Sequence, residues 1–269
     1  MADKQEKIHV KTSAIALYDI LTTVRNSSAK NLMEAWESCL KAPVKSEDFT
    51  KRHAEVVILL LDLQNEVACL ESERLRKRLE KYSSSWWTAI VQPLRNWEQT
   101  PASELIPGGD LDMLGAACDL VGSQIGDPES LTAISDLAHL RAECDAWLTF
   151  VSDNDEIADD SFRQALLTQI NHLIWLIDNA DTFGIARIIQ QGDQITGALV
   201  RTGRQKTVRY TSRFRDRISS FVAALTLVAS LIHSSQVVFD AADHTLPDAE
   251  KIIKEITSGN SNDVGKMER

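Results

Sequence analysis

Glycine and proline are scarce in this chain, 11 and 6 of 269 residues. Barrels, sandwiches and doubly wound sheets consume turn residues, so the scarcity argues against all three. No stretch alternates apolar and polar residues for long enough to make a strand, and no internal repeat is evident. Aromatic residues are also few, at 6%. The four cysteines, Cys39, Cys69, Cys118 and Cys144, are far apart and include no C-x-x-C pair. Each falls among apolar neighbours in an expected helix, which reads as reduced core thiols in a cytoplasmic protein. Walker and Rossmann glycine patterns are missing, and so is G-x-S-x-G. The commonest nucleotide sites and the serine-hydrolase elbow go with them. Residues 1–11 are charged and lack an apolar centre, so no signal peptide is expected, and neither end shows a lipidation motif.

What is present is helical periodicity. Apolar content of 43% and charged content of 25% are those of a globular chain with a core to bury. The organising stretch is Arg201 to Asp240, where a basic segment runs into the longest apolar one. From Phe214 the bulky residues recur at Ile218, Phe221, Leu225, Val228 and Ile232, in alternating steps of four and three. That spacing is one helical face seen turn after turn. The other side is apolar too, through Val222, Ala224, Leu227, Ala229 and Leu231. A helix greasy on most of its circumference sits inside a bundle or against lipid.

The same periodicity lays out the rest. A helix is expected from Ser13, a break at Asn26-Ser27-Ser28, and a second helix carrying Leu32, Trp36 and Leu40 that stops before Pro43. A long helix is expected over 47–82, followed by a short segment capped by Ser83 to Ser85 and bearing Trp86, Trp87 and Trp97. Ile106-Pro107-Gly108-Gly109-Asp110 is the strongest turn signal and the best candidate border. Asp127-Pro128 should cap another helix. Periodic helices then cover Phe162 to Ala180 and Ile185 to Leu199, with a short one from Pro247 to Ile256. The expected architecture is an all-α bundle of roughly eight to eleven helices, in one domain or two fused ones. It divides into residues 1–105 with the long helix, a bundle over 110–257, and a disordered tail over 258–269.

Sites are harder to find. Asp136, His139 and Glu143 share a helix face beside Cys144, but a di-iron carboxylate site would need E-x-x-H on two core helices. The only such match, Glu6 and His9, lies at the N-terminal end, so no metal and no cofactor are expected. His172 and His233 sit in apolar helices, as hydrogen-bonded core histidines do, and His53 and His244 have no evident partner. The basic run is more distinctive. Between Arg201 and Arg217 there are seven Arg or Lys and a single acid, Asp216, on a chain of net charge −10. Arg204, Lys206, Arg209, Arg213 and Arg217 could hold an anion, since arginines three to four apart share a face. Alternatively they pair with the chain's own acids, for instance those clustered over 153–160.

Three functional readings follow. The leading one is a non-enzymatic helical interaction or regulatory subunit, oligomeric, that meets a protein partner or its own copy through Trp86, Trp87 and Trp97. The second is a membrane-acting effector using the helix over 218–239, whose 22 residues could span a bilayer. Five Ser, one Thr, one His and one Gln weigh against that. The third is a sensor of an anionic nucleotide or nucleic acid through 201–217.

Overall fold

The computed structural model describes residues 11–91, 97–122, 132–153, 157, 159–204 and 211–233. Among these the chain forms eleven helices and no strand, an all-α multi-helix architecture. They are α1 (Ser13–Arg25), α2 (Leu32–Leu40), α3 (Glu47–Ala68), α4 (Glu73–Val91), α5 (Ala102–Leu105) and α6 (Gly108–Gly122). After these come α7 (Thr132–Asp153), α8 (Asp160–Asp178), α9 (Ala180–Phe183), α10 (Ile185–Arg204) and α11 (Ser212–His233).

Short polar side chains start these helices where the backbone N–H groups need acceptors. Thr12 Oγ1 accepts from the Ile15 amide at 3.2 Å, Asn31 Oδ1 from Glu34 at 2.9 Å and Ser46 Oγ from Phe49 at 3.0 Å. Asp159 does the same for α8 and Thr211 for α11. The break after α1 falls where expected, although the residue that caps α2 is Asn31 rather than Ser27 or Ser28.

The single helix expected over 47–82 is two. α3 ends at Ala68 and α4 begins at Glu73, and the two pack on each other. Neither glycine nor proline makes the break. The bend buries Leu70, Ser72 Oγ takes the Leu75 amide as a new cap, and the Arg76 guanidinium donates to the Leu70 and Glu71 carbonyls that end α3. Ser83 to Ser85, expected to open a separate segment, lie inside α4.

The described residues fall into two compact units. One draws on His9–Asp127 together with Asn179–Arg187, the other on Pro128–Asp178 and Ile188–Arg269. The border expected near 106–110 therefore falls within the first unit, which α6 completes. In that unit α1 packs on α3 and α6, and α4 closes over the same two helices. Leu17, Leu21, Trp36, Leu59, Leu60, Leu63 and Leu114 are all fully buried there. In the other unit α7 packs against α8 and α11. Its centre is an aromatic cluster: Trp147 meets Phe150 edge-on at 5.7 Å and Phe214 at 5.6 Å between ring centres. The cap expected at Asp127-Pro128, the helix over 247–256 and the tail over 258–269 lie outside the described residues.

Candidate functional site

The bulky face of α11 is covered by its own unit. Phe214, Ile218, Phe221, Leu225 and Val228 are all buried. The choice between a bundle interior and lipid is thus made, for this face, by the protein itself. No helix among the described residues is long and apolar enough to cross a membrane. On the other side Val222, Ala224, Ala229 and Leu231 are buried as well, and a narrower strip turns outward. Ser219, Ala223, Thr226, Leu227 and Ser230 are exposed, and Leu227 at 47% is the most exposed large apolar residue described. Between Arg217 and His233 this helix carries no charge at all.

Of the basic run, Lys206 and Arg209 lie outside the described residues, and so does the side chain of Arg204. Arg213 is exposed. Arg217 is half-buried and its Nη1 stands 3.7 Å from Glu143 Oε2 on α7. An internal carboxylate therefore engages it, but not one from the 153–160 cluster. Within that cluster Asp159 caps α8, and Asp160 lies 3.5 Å from Arg163, three residues along.

The three tryptophans go to different places. Trp86 is buried, and its indole N–H donates to the Asp110 carbonyl at 3.0 Å. Trp87 is half-buried. Trp97 stacks on Trp36 at 6.4 Å and meets His53 edge-on at 5.6 Å. His53, flanked also by Phe49, is held below the usual histidine range, chiefly by burial. Beside Trp86, α3 and α4 part to leave a cavity of about 230 Å³. Its buried walls are Leu63, Val67, Leu79 and Trp86. Its lip carries Gln64, Ser83 and the exposed Glu80.

Asp136 is half-buried and His139 exposed. No group of three or more His, Cys, Asp or Glu converges as metal ligands among the described residues. Burial pushes the thiols up, Cys39 to about 11 and Cys118 and Cys144 to about 12, so none of these three is a ready nucleophile. His172 stacks on Trp175 at 5.9 Å.

No protein family, curated protein or solved structure matches this chain.

Two arrangements were not anticipated from the sequence. Glu55 on α3 and Arg187 at the start of α10, both buried, pair within one unit: Arg187 Nε and Nη2 each donate to Glu55 Oε2 at 3.0 Å. The second is Glu66 on α3, whose Oε2 is buried with no hydrogen-bond partner. Burial first, and then the Asp62 carboxylate one turn away, push it up to about 7. Asp62 itself accepts from Ser13 Oγ at 3.1 Å, and Asp19 of α1 and Cys118 of α6 belong to the same electrostatic neighbourhood. A folded-state value above the unfolded one means that the stability associated with protonated Glu66 is complete below about 4.5 and lost as pH rises through about 7. Glu66→Gln should therefore stabilise the protein at pH 8.5 by roughly 2 kcal/mol, from about 1.4 kcal/mol per pKa unit reduced for partial solvation. The advantage should vanish by pH 4.5. Urea unfolding at the two pH values measures it, and equal gains at both would remove ionisation as the cause.

Proposed function

We propose that the chain is a non-enzymatic helical interaction subunit that pairs with a second copy of itself across the outer face of α11. The observation that supports this is the uncharged outward strip Ser219, Ala223, Thr226, Leu227 and Ser230. On α4, by contrast, Glu73, Arg74, Lys77, Arg78, Glu80 and Lys81 face solvent. A body of net charge −10 repels its own copy. A face without charge is where that repulsion is weakest and where the exposed Leu227 gains most from being covered. Small residues around it let two helices approach closely, and the same strip on both copies makes a closed two-fold pair.

The anion-sensor and membrane-effector readings have less behind them. Arg217 is engaged by Glu143, and the bulky face of α11 is already covered. Size-exclusion with light scattering is the test. The wild-type chain should show a dimer mass that falls to the monomer on dilution, and Leu227→Glu should be monomeric throughout with an unchanged helical spectrum. A compact wild-type monomer at every concentration would sink the proposal.

A further inference from the structure

The α3/α4 cavity is independent of that face and has the make-up of a small-ligand site. We infer that it binds a one-ring apolar molecule bearing a protonated amine, with the ring against Leu63, Val67, Leu79 and Trp86 and the amine at Glu80 on the lip.

Size comes first. A dry cavity of about 150 Å³ lined by aliphatic and aromatic side chains takes up benzene. The volume here, about 230 Å³, adds room for a short side chain but not for a drug-sized molecule. Wall chemistry agrees. The N–H of Trp86 is directed to the Asp110 carbonyl, which leaves the carbon framework of the indole to line the cavity.

The lip then selects the head group. Gln64 Nε2 donates to Ser83 Oγ at 2.5 Å, so the amide oxygen of Gln64 is left to accept. Glu80 adds a negative charge. Of the five cationic side chains along α4, four are turned elsewhere, Arg78 reaching Met113 Sδ at 3.8 Å. Lys77 pairs with Glu73 at 2.8 Å, Arg76 holds the end of α3, and Lys81 lies over the Tyr82 ring at 5.8 Å. A lip of acceptors with one carboxylate favours a donor of positive charge over an anion of the same shape.

Calorimetric titration of the whole chain tests this with three probes that share a ring: 2-phenylethylamine, neutral ethylbenzene and anionic 3-phenylpropionate. The amine should bind saturably, roughly threefold to fivefold tighter than ethylbenzene, as an exposed charge pair allows. The anion should bind weakest. Glu80→Gln should bring the amine down to the level of ethylbenzene and leave ethylbenzene unchanged. Ala68→Phe, at the exposed edge of the cavity, should abolish binding of all three while the helical spectrum is kept. Absence of saturable amine binding to the folded wild-type chain overturns the inference. So does equal affinity for all three probes, or amine binding that survives Ala68→Phe. None of these outcomes bears on the oligomeric state, so the dimer proposal stands or falls separately.

Discussion

Glu55→Ala should lower the unfolding free energy by roughly 3–5 kcal/mol, the range seen when one member of a buried ion pair is removed. Glu55 and Arg187 have side chains only 4% and 5% exposed, and the guanidinium gives two donors to a single carboxylate oxygen. Without Glu55 the guanidinium keeps its charge, because arginine does not deprotonate in proteins, and it stays in a low-dielectric site. Either α10 pulls its first turn toward water or the buried charge is carried without its carboxylate. The double variant Glu55→Leu/Arg187→Met separates the worth of the pair from the penalty of breaking it. It should recover most of the loss, since apolar residues of similar volume often replace a buried pair at little net change. Urea unfolding of the three variants measures this. A double variant as unstable as Glu55→Ala would mean that the site requires the ion pair itself.

The bond also marks the limit of what the sequence shows. Its partners lie 132 positions apart. The one local sign is a charge set inside an apolar run, Arg187 among Ile185, Ile188 and Ile189, and it says nothing of the partner's place. The bulky face of α11 was readable because periodicity is a property of a single segment. Which strip of that helix would face out was not, since apolar residues lie around most of its circumference. The face with Phe214, Phe221 and Leu225 won the interior because it removes more apolar area from water than Ser219, Ala223 and Ser230 could.

The missed break between α3 and α4 has a similar cause. Its signals are a serine cap and an acid in the first turn, Ser72 and Glu73, which also occur on ordinary solvated helix surface. What decides for a break is the burial of Leu70, and burial is a tertiary fact. The cavity beside Trp86 follows from that bend. It exists only because the two halves of the expected long helix pack side by side, so an isolated reading of the tryptophans could place them on an interface but not on a pocket wall.

Gly184→Ala should destabilise the chain by roughly 3–4 kcal/mol, backbone strain of about 1–3 kcal/mol and a steric overlap adding together. Gly184 follows the single turn of α9 with φ +80° and ψ 163°, a region that only glycine enters freely. A Cβ placed there would also stand 2.6 Å from the Lys11 carbonyl oxygen. That neighbour is backbone and cannot swing aside as a side-chain tip could. Lys11 is also fixed from its other end, its Nζ donating to the Asp181 carbonyl at 2.9 Å and pairing with Asp19 at 2.8 Å. The control is Gly197 inside α10, where a Cβ would meet nothing within 4 Å. Gly197→Ala should stabilise by roughly 0.5–1 kcal/mol, the usual helix-interior gain. Opposite signs for the same substitution, read from urea midpoints, would place the effect at the α9–α10 turn rather than in glycine replacement as such. Equal and small effects would mean that Gly184 relaxes out of its positive φ at little cost.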